Sequence, residues 1–171
     1  MFSKMIRTFT LLVLLWMPGA SLAERPPNIV MILGDDVGYG DLGCYGSEIN
    51  KTPNIDKLAD HGLRLTDFHT NGPMCSPTRA ALLTGNYQQR YGKRLDRALT
   101  HDPSPENGLP PEAVTIAEVL KKAGYATGMF GKWHLGNNLR VWPTKQGFGE
   151  FIGLATGDGD FHTHISREGH E

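Results

Sequence analysis

Residues 28–33, NIVMIL, form an uninterrupted apolar run rich in branched side chains, entered through Pro26 and Pro27 and closed by Gly34. A run without polar alternation does not suit a sheet wetted on one face. It predicts a strand buried on both faces, the kind found in parallel sheets covered by helices. In such α/β sheets ligands bind beyond the carboxyl ends of the strands. The run leads directly into Asp35 and Asp36, at the start of the glycine-rich stretch DDVGYGD. Two adjacent carboxylates repel one another, and on a strand they would face opposite ways. In a glycine-rich loop they can converge, and a hard divalent cation makes convergence favourable.

Strand and helix signals alternate along the rest of the chain. Thr52 and Pro53 predict a helix start and Gly62 its stop, with Ile55, Leu58 and Ala59 packed inward and Asp56, Lys57 and Asp60 in water. Residues 63–70 alternate and read as a second strand. Residues 86–111 are polar and broken by glycine and proline, which predicts a long surface loop. Thr115 and Glu118 form a capping box for a helix through Lys122, with Ile116, Val119, Leu120 and Ala123 inward and Gly124 as the stop. Residues 125–131 follow as a third strand.

The stretch CSPTRAALLTG, Cys75 to Gly85, places a cysteine at the mouth of a short helix. Ser76 can cap the first free N–H groups, Pro77 suits the first turn, and Gly85 supplies a left-handed stop. A thiol there feels the positive end of the helix dipole, and Arg79, one turn on, can point back toward it. The surroundings favour an anion. A buried structural cysteine ahead of an ordinary helix is the plainer reading of the same residues. A cysteine phosphatase loop would also sit at a helix start, but its arginine comes six residues after the cysteine, and here Arg79 comes after four. The third strand ends in GKWHLG, where Lys132 and His134 are two apart and, in an extended segment, project from one face. Lysine is a point donor for sulfate or phosphate oxygens, and an imidazole can orient or reprotonate a hydroxyl.

Cys75, Pro77 and Arg79, followed by Leu83, Thr84 and Gly85, resemble the signature of the type I sulfatases, and GKWHLG resembles that family's second signature. With the Asp35–Asp36 loop in the same order, the resemblance runs from about Pro27 to His164. It implies an alkaline-phosphatase-like fold, a large mixed sheet sandwiched by helices, of which these residues supply the N-terminal portion. The activity implied is hydrolysis of a sulfate ester of a carbohydrate or aryl alcohol to the alcohol and inorganic sulfate. Cys75 would be oxidised by a formylglycine-generating maturation enzyme; one hydroxyl of the hydrated aldehyde would attack sulfur and the other eliminate sulfate. Asp35, Asp36 and residue 75 would hold calcium, Arg79 would steady the diol, Lys132 would hold sulfate oxygens, and His134 would hydrogen-bond the diol. A phosphatase or phosphodiesterase of the same superfamily is the alternative, opposed by the cysteine where those relatives generally carry serine or threonine.

Lys4 and Arg7, an apolar run over residues 9–17, and the small-residue pattern at Ser21, Leu22 and Ala23 read as a signal peptide over residues 1–23, followed by a catalytic domain over residues 24–171. The chain is therefore expected to be exported, periplasmic or secreted, and the run is too short for a stable membrane anchor. Losing residues 1–23 removes two positive charges and no negative one, moving the formal net charge from −1 to −3. That balance, with no basic cluster run, gives no footprint for nucleic acid. Cys44 and Cys75 are the two cysteines, so a bridge between them is the structural alternative to a modified Cys75. The tail from Gly147 through Asp158, Asp160, His162 and His164 resembles the family loop after the third strand, but its spacing fits no zinc pattern. Ligands that the family supplies from farther along are not in the sequence. The expectation is an incomplete catalytic domain, inactive alone, or a non-catalytic remnant.

Overall fold

The computed structural model describes residues 25–160, 162, 163 and 165. The expected signal peptide and His164 lie outside the described residues. The chain divides into two units, residues 1–36 and 37–171.

In the first unit, residues 25–34 form neither helix nor strand, so the strand expected over residues 28–33 is not formed. Val30 is 82% exposed and Ile32 86%. The physical reason is partnership: a parallel strand takes its hydrogen bonds from neighbours, and a short apolar run without them gains too little to order itself. Asp35 and Asp36 follow in a bend, with Asp36 at φ 54°, a left-handed conformation that aspartate adopts more readily than most residues.

The second unit opens with two 3₁₀ turns, Tyr39–Asp41 and Gly43–Tyr45, ahead of helix α1, Pro53–His61. Thr52 precedes α1 as expected but caps no helix N–H. Its hydroxyl accepts from the Gly43 N–H at 2.8 Å and donates to Asp56 Oδ1 at 2.9 Å, and the same Asp56 oxygen accepts from the Cys44 N–H at 2.7 Å. Asp56 is thus half-buried rather than in water, while Ile55 and Leu58 are exposed. The polar cradle decides which face of α1 turns inward. Residues 63–70 form no strand and are exposed; alternation alone brought no ladder partner.

Helix α2 spans Cys75–Thr84 and helix α3 Ile116–Lys122; strands β1, Gly128–Phe130, and β2, Glu150–Ile152, pair in parallel with Met129 opposite Phe151. Gly85 stops α2 in the left-handed conformation, φ 65°, returning its N–H to Ala81. The buried core joins Ala80 of α2 to Leu95, Leu99, Leu109, Trp133 and Leu135. Residues 86–111 are therefore not simply a surface loop. They hold two 3₁₀ turns, Gln88–Tyr91 and Lys93–Leu95, and lend three leucines to the core, a contribution no helical or strand period announces. Trp133 fills the centre, its ring edge-on to Phe148 at 6.3 Å and its Nε1 donating to the Val141 carbonyl at 3.2 Å.

The capping box of α3 forms as expected: Thr115 Oγ1 accepts from the Glu118 N–H, and Glu118 accepts from the Thr115 N–H. The inward set differs, because Ala117 is buried while Ile116, Val119 and Ala123 are exposed. Thr115 itself is the anchor, fully buried, its hydroxyl also donating to the Gln146 carbonyl at 2.7 Å. Thr115→Ala is expected to cost about 1–2 kcal/mol in urea unfolding, since it strips the cap and leaves a buried carbonyl without its donor, while Thr115→Ser keeps most of that. Among the described residues no helix is long and apolar enough to cross a membrane.

Candidate active site

Cys75 is the first residue of α2, inside the helix rather than ahead of it, and Met74 occupies the cap in extended conformation without a side-chain bond. Ser76 does not cap. It is fully buried, and its Oγ accepts from the Leu99 N–H at 3.0 Å. Both cysteines are free thiols, so the Cys44–Cys75 bridge is not formed. Arg79 lies one turn further along, 8% exposed, and its Nη1 donates to the Lys132 carbonyl. That contact fastens the helix of Cys75 to the segment of Lys132 and His134.

The β1–β2 pairing runs on past the strands. The Gly131 N–H donates to the Ile152 carbonyl at 2.9 Å, Trp133 to Leu154 at 2.8 Å, and His134 to Ala155 at 3.0 Å. This carries GKWHLG beyond the strand's carboxyl end, where the sheet argument put it. The segment is not uniformly extended, however. His134 has φ 55°, so the two-residue spacing of a strand does not set the directions of Lys132 and His134. What fixes His134 is its ring: buried, with Nε2 3.0 Å from the Leu99 carbonyl. A carbonyl only accepts, so Nε2 carries the hydrogen and Nδ1 is the bare acceptor. Nδ1 is buried and, among the described residues, has no hydrogen-bond partner.

Burial pushes the His134 imidazole below its ordinary value of 6.5, and the positive charges of Lys132, Arg79 and His101 push the same way, against the Leu99 carbonyl, which raises it. The ring is neutral at pH 7. An unfolded histidine takes up its proton near the ordinary value while the folded one resists until lower pH, so the unfolded state binds more protons in between. His134 therefore leaves stability intact above pH 6.5 and lowers it as pH falls from there toward the depressed folded value. Urea midpoints measured from pH 7.5 to 5 are expected to show this slope, and His134→Gln, which keeps a donor for Leu99, is expected to flatten it.

Arg79 and Lys132 beside His134, close to the positive end of α2, make a site suited to an anion. Asp35 and Asp36 belong to the first unit. Their oxygens, on consecutive residues at an exposed bend, suit a hard divalent cation. Among the described residues no three histidine, cysteine or acidic side chains gather as metal ligands. Sequence reasoning missed two neighbours of His134. His101 Nε2 is 3.0 Å from Asp158 Oδ1, and the backbone of Gly157 lies against the His134 ring so closely that a Cβ would overlap it. The one signal available was an aspartate between glycines in a tail otherwise set aside.

The sulfatase family model matches residues 27–170. Human arylsulfatase A is 53% identical over 132 residues, covering 76% of this chain and 25% of the relative. Human N-acetylgalactosamine-6-sulfatase is 45% identical over 139 residues, covering 79% of this chain and 27% of the relative. Among solved structures, Ps i-CgsB superposes with a TM-score of 0.74 at 40% identity, covering 78% of this chain and 29% of that one. The PsFucS1 sulfatase from Pseudoalteromonas sp. superposes with a TM-score of 0.63 at 39% identity, covering 74% and 25%. The chain thus spans about a quarter of the length of the curated relatives it matches. The alkaline-phosphatase-like fold expected from the sequence is the fold of these neighbours, of which the two-stranded ladder and its helices are an N-terminal portion. With the profile spanning nearly all of the chain after residue 26 and these relatives agreeing in sequence and fold, the chain belongs to the sulfatase family.

Proposed function

We propose that this chain supplies the nucleophile-bearing part of a site that hydrolyses a sulfate ester to an alcohol and inorganic sulfate, and that it is an exported protein with a signal over residues 1–23 and catalytic-domain residues over 24–171. The observation that supports this best is the joining of two distant motifs. Arg79 on the helix of Cys75 donates to the Lys132 carbonyl, and Ser76 and His134 hold the N–H and the carbonyl of one residue, Leu99. A chain with no use for the pair would have little reason to spend a buried arginine and a buried histidine on it.

Each residue then has a task. Residue 75, oxidised to formylglycine by a maturation enzyme and hydrated, supplies the hydroxyl that attacks sulfur. His134, neutral with its Nε2 hydrogen on Leu99, offers Nδ1 to a hydroxyl hydrogen and can take or return a proton there. Lys132 meets sulfate oxygens as a point charge, and Arg79 steadies the hydroxyls at residue 75 while holding Lys132 in register. Asp35 and Asp36 would hold calcium, which when bound supplies positive charge to the sulfate oxygens. The substrate class is an aryl or carbohydrate sulfate, in keeping with the names of the relatives. Cysteine at position 75 favours this over phosphate ester hydrolysis.

Mass spectrometry of the peptide containing Cys75, after coexpression with a formylglycine-generating enzyme, tests the reading. The expected result is conversion of the thiol to the aldehyde. A wholly unmodified thiol would defeat it.

A further inference from the structure

His134 is enclosed by two segments remote from each other in sequence. On one side the Leu99 carbonyl accepts from its Nε2 at 3.0 Å, and two residues later the chain reaches His101, whose own carbonyl accepts from Asn137 Nδ2 at 2.8 Å. On the other side the Ala155 carbonyl accepts from the His134 N–H at 3.0 Å, and the chain then passes over the ring at Gly157, where a Cβ would overlap the imidazole. Asp158 comes next, with its carboxylate 3.0 Å from His101 Nε2. The two segments that touch the ring are thereby brought together. Only a residue without a side chain lets the second segment approach this closely.

We propose that the His101–Asp158 pair, closing over Gly157, is a brace that positions the His134 ring and holds it in the tautomer with hydrogen on Nε2 and Nδ1 bare. His101 and Asp158 are positioning residues, acting through His134. The brace bears on catalysis through the reading that His134 Nδ1 serves the hydrolysis; its own test needs no turnover, so it can fail while that reading stands. Without the Asp158 tie, the 155–158 segment is free to lift from the ring, water reaches both nitrogens, and Leu99 no longer dictates which one keeps the hydrogen.

The experiment is long-range ¹H–¹⁵N correlation on the full chain labelled at histidine nitrogens, at pH 8, where imidazoles are neutral. The wild-type chain is expected to give a single Nε2–H pattern for His134. In Asp158→Ala it is expected to collapse to an averaged pattern of both tautomers. Asp158→Asn, which keeps an oxygen beside His101 Nε2, is expected to restore the single pattern, and Asp158→Leu, of similar size without that oxygen, to give the averaged one, which loss of packing alone would not predict. Should Asp158→Ala lose its dispersed backbone spectrum, His101→Ala cuts the tie from the other end and is expected to give the same averaging. A folded Asp158→Ala or His101→Ala chain that keeps the wild-type His134 pattern would overturn the brace.

Discussion

Replacing Arg79 by alanine is expected to lower the unfolding free energy by about 3 kcal/mol, a large share of the ~5–15 kcal/mol that holds a typical domain folded. Arg79 is 8% exposed and its Nη1 donates to the Lys132 carbonyl, so the substitution removes a charge-assisted bond, leaves that carbonyl without this donor, and empties the space its buried side chain fills. A bond to a charged group contributes about 1.5–3 kcal/mol, and the void adds to it. Arg79→Lys is expected to recover less than half, because a single ammonium on a flexible stem does not reproduce a planar fork. Urea titration of the three proteins decides the matter. A midpoint for Arg79→Ala within the error of the wild type would mean that the contact between α2 and Lys132 holds nothing together.

The parts of the fold readable from the sequence are those whose causes are local. Gly85 ends α2 because its own backbone takes φ 65°, and Thr115 with Glu118 starts α3 because the two residues satisfy each other's N–H groups. Strands have no such self-sufficiency. Residues 28–33 and 63–70 carry strand patterns but form no strand, since a ladder exists only where a second segment arrives; β1 forms because β2 meets it. The core leucines at 95, 99 and 109 were hidden for a related reason. They lie in irregular chain, where no period marks the inward side.

The same division runs through the site. Cys75, Arg79, Lys132 and His134 stood out because their types and spacing are unusual together, and Arg79 does reach the segment of Lys132 and His134. Their directions did not follow. A strand rule placed Lys132 and His134 on one face, whereas His134 is left-handed, with its ring set by Leu99. Ser76 read as a cap because serine before a helix commonly is one, yet the helix already includes it, and its hydroxyl serves Leu99 instead. His101 and Asp158 are brought together only by the folded path of the chain over His134, and no local pattern could have paired them.

Calcium is expected to bind the isolated chain weakly, with a dissociation constant of about 1 mM or above, and the chain, even with residue 75 converted, is expected to turn over aryl sulfate no faster than its Cys75→Ala variant. Calcium prefers six to eight oxygens, and two carboxylates reach that number only by leaving most of the shell to water. Among the described residues no three histidine, cysteine or acidic side chains gather as metal ligands. Adjacent carboxylates repel each other, and an ion held mostly by water would offset that less, and would supply less positive charge to a sulfate, than one held by a full protein shell. The segment that carries Asp35 and Asp36 also exposes apolar side chains, Val30 at 82% and Ile32 at 86%. A surface of that kind favours association between copies, so calcium should be titrated calorimetrically at low protein concentration, with sedimentation run alongside. Converted chain that binds calcium at micromolar concentration and hydrolyses aryl sulfate well above the Cys75→Ala background would show that the described residues form a sufficient site.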